Sequence, residues 1–149
     1  MHPTVTEQLD GLRRILAEAV APEVTAPYPA EILGSVIGAL NALQANLHAV
    51  PAFLRWDIET TAGVLDAARP RLSLELIAKI DAAKGAGHDP ADLAALEARQ
   101  MRLRGLLVEA MPAILAERGA AYGKMIALFR ERTERFPFSM AARPPAKKV

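Results

Sequence analysis

The chain has no cysteine, which excludes disulfides, thiolate metal sites and cysteine nucleophiles. Histidine is scarce: His2, His48 and His88 are the only three. Metal-binding helical bundles use inward carboxylates and Glu-x-x-His pairs. Here the residue three places before His48 is Ala45, and before His88 it is Gly85. A hemerythrin-like site would need more histidines than this. Phosphate-binding and dinucleotide loops are missing too, because Gly34-Ser35-Val36-Ile37-Gly38 is followed by no Lys-Ser or Lys-Thr and preceded by no strand-like run. There is no Gly-x-Ser-x-Gly elbow. The residues therefore assign no catalytic group, no cofactor-binding group and no metal ligand, and the expectation leans away from an enzyme.

Aromatic residues make up 5% of the chain, whereas alanine supplies about a fifth. Alanine is the best helix former and lets helices approach closely, so this balance favours packed helices over a sheet sandwich. A length of 149 residues is enough for one domain with a real core. Charge of either sign is absent between Ile32 and Leu54. That run still holds Ser35, Asn41, Gln44, Asn46, His48 and Pro51, which is too polar for a lone span facing lipid. Glu7, Asp10, Arg13, Arg14 and Glu18 argue against a signal peptide. A cytoplasmic protein without a membrane span is the expectation.

Net charge is +1. Residues 1–70 carry four basic and eight acidic groups, and residues 71–149 carry fourteen and nine. Such an asymmetry suits charge complementarity between halves or subunits as well as it suits solvated helix faces and a basic tail. Nucleic-acid binding would call for a denser basic stripe.

What is present is helical periodicity. From Pro29 to His48, Leu33, Val36, Ile37, Leu40, Leu43 and Leu47 recur at three- and four-residue spacing. A second row of Gly34, Gly38, Asn41, Ala45 and His48 carries little bulk. A helix apolar on one side and small on the other reads as the centre of a bundle, covered from two sides. Upstream, Thr4-Val5-Thr6-Glu7 is a capping-box pattern, leading a stripe of Leu9, Leu12, Ile15, Leu16 and Val20. Pro22, Pro27 and Pro29 close that helix and open the next.

Past Pro51 the pattern resumes with Leu54, Ile58, Thr61 and Leu65. Either one long helix kinks at Pro51 or a tight turn separates two shorter ones, and the scarcity of polar turn residues around Val50-Pro51 favours the kink. Ser73 is placed to cap a helix over 74–84, with Leu76, Ile77 and Ile80 inward. Gly85-Ala86-Gly87-His88 reads as a loop, and Asp89-Pro90 as the next helix start. Leu93, Leu96, Gln100, Leu103, Leu107, Ala110 and Ile114 then form three heptads of seam with one polar position, Gln100. Pro112 should bend or break that helix near Val108–Met111. Tyr122, Met125, Ile126, Phe129 and Thr133 make a last helical face, with Arg130, Arg132 and Arg135 outward. Phe136 and Phe138 need a docking site. Residues 140–149 lack the means to build a core and are expected to form a disordered basic tail.

The densest polar group is Arg55-Trp56-Asp57-Ile58-Glu59. Arg55 and Glu59 stand one turn apart, as a surface ion pair would. A sharper reading sets Asp57 or Glu59 with His48 in a cleft as an acid–base pair.

Val20-Ala21-Pro22-Glu23-Val24, the following Pro27-Tyr28-Pro29-Ala30, and the closing run Phe129-Arg130-Glu131-Arg132-Thr133-Glu134-Arg135-Phe136-Pro137-Phe138 resemble a group of small uncharacterised bacterial helical proteins. The similarity covers most of the chain through short motifs. Some members of that group are encoded beside acyl-CoA dehydrogenase-like and aminoglycoside-phosphotransferase-like proteins, so the resemblance implies an accessory role near acyl-CoA metabolism. It implies no catalytic residues.

Together these readings predict an all-α antiparallel bundle of four to six helices, kinked at prolines, in one domain over residues 1–139. The expected function is a non-enzymatic interaction or accessory protein, a homodimer open to a protein partner. The alternative is a small-molecule or acyl-group binding bundle. Candidate pocket or interface residues are Gly34, Gly38, Asn41, His48, Arg55, Trp56, Asp57 and Glu59, with Gln44 as a further orienting group. No cofactor is expected.

Overall fold

A computed structural model describes residues 3–85 and 92–138. The chain is all-α, with no strand among the described residues. It divides into two compact units, Met1–His48 and the remainder from Ala49, where the sequence reading placed one domain over 1–139. The Gly85–His88 loop beyond Gly85, the Asp89-Pro90 start and the tail over 140–149 lie outside the described residues.

The first unit begins with α1 (Val5–Arg14). Its capping box is formed: the Glu7 amide donates to Thr4 Oγ1 at 3.2 Å, and the Thr4 amide donates to Glu7 Oε2 at 2.7 Å. The Thr4 amide, joined by the Thr4 hydroxyl donating to the same oxygen at 3.0 Å, holds the Glu7 carboxyl below the usual carboxylate range. A π-helical stretch (Ile15–Val20) and a short 3-10 turn (Ala21–Glu23) carry the chain to α2 (Pro27–Asn46), which packs against α1.

No residue of these elements is buried. This corrects two expectations. Of the first stripe, Leu9 and Leu16 are half-buried, whereas Leu12, Ile15 and Val20 are exposed. The helix at Pro29–His48 is not the centre of the molecule's core: Leu33, Ile37, Leu40, Leu43 and Leu47 are half-buried, and Gly34, Gly38, Asn41, Ala45 and His48 are all exposed. A Cβ placed on Gly34 or Gly38 would meet nothing within 4 Å. Among the described residues of its own unit, the small row therefore has no close helix against it.

Pro51 does not kink one long helix. A 3-10 turn (Leu47–Ala49) separates α2 from α3 (Val50–Ala68), and Pro51 sits in the first turn of α3, where a missing N–H leaves no bond unmade. The second unit then runs through a 3-10 turn (Arg69–Arg71), α4 (Leu74–Gly85), α5 (Leu93–Glu117) and α6 (Ala120–Arg135). Ser73 caps α4 as expected, accepting from the Leu76 amide at 3.2 Å. Asp92 caps α5, accepting from the Ala95 amide at 3.1 Å. Pro112 lies inside α5, which continues unbroken to Glu117.

Cross-helix pairs fix the topology of this unit. Asp66 meets Lys84 at 2.6 Å and Arg69 meets Asp81, so α4 runs back along α3. The Arg69 guanidinium holds the Asp81 carboxyl below its ordinary range. Lys79 reaches Glu109, and Arg99 donates to the Lys84 carbonyl, so α5 reverses again. Asp57 meets Arg104 while Arg71 meets Glu117, which sets α3 and α5 side by side and parallel. Phe53 meets Phe136 and Asp57 meets Arg132, which turns α6 back along α3. Successive helices are thus antiparallel.

The core lies between α3 and α5. Phe53, Leu54, Ile58, Val64 and Leu65 of α3 face Leu96, Leu103, Leu107, Ala110 and Ile114 of α5, with Ile80 of α4 and Met125 and Leu128 of α6 closing it. The predicted seam of α5 is this buried face; only its first member, Leu93, is exposed.

A buried carboxylate and the adjoining cleft

At the end of the second unit where α3 and α5 begin and α6 finishes, helical spacing sets Asp57 and Thr61 one turn apart on the inner face of α3. Both are fully buried. An uncompensated carboxylate there would be costly. Its compensation comes from two other helices. Gln100 Nε2 donates to Asp57 Oδ2 at 2.7 Å, and Arg104 Nε, one turn further along α5, donates to the same oxygen at 3.1 Å. Arg132 Nε of α6 donates to Oδ1 at 2.7 Å, and its Nη2 donates to Thr61 Oγ1 at 3.1 Å. Three donors, two of them cations, converge on one anion, leaving the cluster with a net charge of +1.

This arrangement ties α3, α5 and α6 at one level. Charge-assisted hydrogen bonds of this kind strengthen in a low-dielectric interior. It also removes Asp57 from acid–base chemistry, since both oxygens are engaged and solvent does not reach them. Asp57 therefore does not take the acid–base role that pairs it with His48, because it turns to Gln100, Arg104 and Arg132 of its own unit. Arg55 and Glu59 do lie exposed on the outer side of α3. Trp56 is half-buried between the tilted Phe53 ring at 5.9 Å and the Arg135 guanidinium at 4.7 Å.

Arg132, expected to point outward, faces inward. The missed signal is Met125-Leu128-Arg132, spaced three and four, which continues the buried stripe of α6 past its apolar members. Ile126 and Thr133, assigned to the buried face, are exposed. Arg104 had a signal of the same kind, standing one turn after Gln100.

Beside this network opens a cleft of about 380 Å³. Its apolar wall is Phe53, Leu54, Met101, Phe136 and Phe138, and its polar groups are Arg104, Gln100 and Glu97. Phe136 stands edge-on to Phe53 at 5.7 Å and Phe138 edge-on to Phe136 at 5.9 Å. Of the two aromatics after α6 that called for a docking site, Phe136 meets Phe53 but stays 45% exposed. Compared with protein-family models, curated proteins and solved structures, the chain finds no match. The site is accordingly read from its own chemistry. Among the described residues no group of three acidic or histidine side chains is placed to hold a metal ion, and no helix is long and apolar enough to cross a membrane.

Proposed function

We propose that the protein is a non-enzymatic interaction module that pairs with a second copy of itself through α1 and α2. One observation carries this reading: among its described residues the unit Met1–His48 buries none, although it presents Val5, Leu12, Ile15, Val20, Tyr28, Ile32 and Val36 as exposed large apolar side chains. A unit this small gains too little from its own packing to remain ordered unaided, and apolar surface of this extent marks an interaction site.

The choice of a second copy rests on charge and shape. After Glu31, α2 carries no charged residue, so two α2 helices meet without repulsion. The exposed row of Gly34, Gly38 and Ala45 lets two backbones approach closely about a two-fold axis. Arg55 to Glu59, in the other unit, are not part of this interface.

Native mass spectrometry with sedimentation velocity tests the reading. The wild type is expected as a dimer, and Gly38→Leu as a monomer with unchanged helicity, because a Cβ there meets no described residue of its own unit. A monomeric wild type, or a G38L variant that still dimerises with undiminished affinity, would overturn it.

A further inference from the structure

We infer that the cleft between α3, α5 and the Phe136–Phe138 segment binds an amphipathic monocarboxylate, with Arg104 holding the carboxylate and the aromatic wall covering the apolar body. The inference stands apart from the pairing of α1 and α2, since every residue that lines this cleft belongs to the second unit.

Shape comes first. About 380 Å³ lies within the range of small-molecule sites, roughly 300–1,000 Å³. The lining is mainly apolar, with a few convergent polar groups, which is the composition such sites share.

Charge selects the ligand class. Asp57 engages Arg104 through Nε alone, at 3.1 Å, and about a third of the Arg104 side chain remains exposed (34%). The buried carboxylate therefore works as a positioning residue. It fixes the orientation of the guanidinium and leaves the fork of terminal amino groups for another acceptor. A planar fork matches a carboxylate in bidentate fashion. Asp57 already has a second cation, Arg132, at 2.7 Å, so a ligand anion at Arg104 meets a cluster that is net positive.

Glu97 sets the limit. It lies seven residues before Arg104 on the same helix, about 10 Å along the axis at 1.5 Å per residue, and it too lines the cleft. A ligand with its carboxylate at Arg104 and an uncharged far end fits this dipolar arrangement. One with a second carboxylate at the far end is repelled by Glu97. The site therefore separates monocarboxylates from dicarboxylates of equal length.

Isothermal titration of the full chain with decanoate, decanol and sebacate tests this. Decanoate is expected to bind at least tenfold more tightly than either of the others. Arg104→Gln should erase the advantage over decanol, and Arg104→Lys should restore part of it. Glu97 is exposed, so Glu97→Gln leaves the core and the Asp57 network untouched. That variant should bring sebacate within about twofold of decanoate. No decanoate binding, equal binding of decanoate and decanol, or an E97Q variant that still rejects sebacate would each overturn the inference.

Discussion

Gln100 Nε2 donates to Asp57 Oδ2 at 2.7 Å across the core, joining the one polar position of the α5 seam to the one carboxylate on the inner face of α3. Neither residue would be tolerable there alone. A buried amide without a partner and a buried anion without donors each carry a desolvation penalty. Together with Arg104 and Arg132 they form a closed set that fixes the level at which α3, α5 and α6 meet.

Removing the anion should be the most damaging single change in this set. Asp57→Ala leaves two guanidinium groups facing one another around a cavity. Breaking a buried pair in this way costs about 3–5 kcal/mol. Urea unfolding of the variant should show a loss of that size. A loss under 1 kcal/mol would mean that the carboxylate is dispensable to the core.

Gln100→Leu should cost less. It completes the apolar seam but takes one of three donors from Asp57, and a lost partner at a buried acceptor costs about 1–3 kcal/mol. Gln100→Glu should be worse than Gln100→Leu, because it brings a second negative charge against the first. The order of the two midpoints in denaturant checks this.

Arg118 should accept glycine with a gain. It follows α5 with φ 49°, in the left-handed region, and its amide donates to the Ile114 carbonyl. That conformation costs a non-glycine residue about 1–2 kcal/mol, part of which returns as added freedom of the unfolded chain. Arg118→Gly is expected to raise stability by up to about 1 kcal/mol, read as a higher midpoint in urea.

The first helix should be sensitive to acid. The Glu7 carboxyl is held below its ordinary range by the Thr4 amide and hydroxyl. A depressed folded-state value means that its contribution is present above the unfolded value, near 4.5, and fades as pH falls through the folded one. Circular dichroism between pH 6 and 3 should show helicity lost in the wild type beyond what Glu7→Gln loses. Parallel curves for the two proteins would show the capping box contributing nothing that titrates.

Much of the architecture was legible from local chemistry. Thr4 and Glu7 announce the first helix, Ser73 caps α4, and the spacing of Leu96, Gln100, Leu103, Leu107 and Ile114 traces the buried face of α5. Gln100 and Asp57 were both visible as polar residues in unusual places. Their pairing was not, because 43 residues separate them and nothing in either segment encodes the register of α3 against α5.

Two elements show where local pattern misleads. The run from Leu33 to Leu47 repeats apolar residues at helical spacing, yet none of α2 is buried. Periodicity reports that a face seeks cover, and not where that cover comes from. Pro112 carries a breaking tendency of about 3 kcal/mol, yet α5 runs through it, with Ala110 and Ile114 buried on either side. Burial of the neighbouring turns outweighs the single missing bond.

By itself, then, the sequence determined the helical class, the caps and the faces that must be covered, since these depend on contacts within a few residues. The tertiary structure decided that α3 and α5, and not α2, hold the core. It also decided that Arg132 turns inward and that a fully buried Asp57 gathers donors from two other helices. Burial, charge compensation and cleft formation are set by distances between residues far apart in the chain, and those distances exist only once the helices have packed.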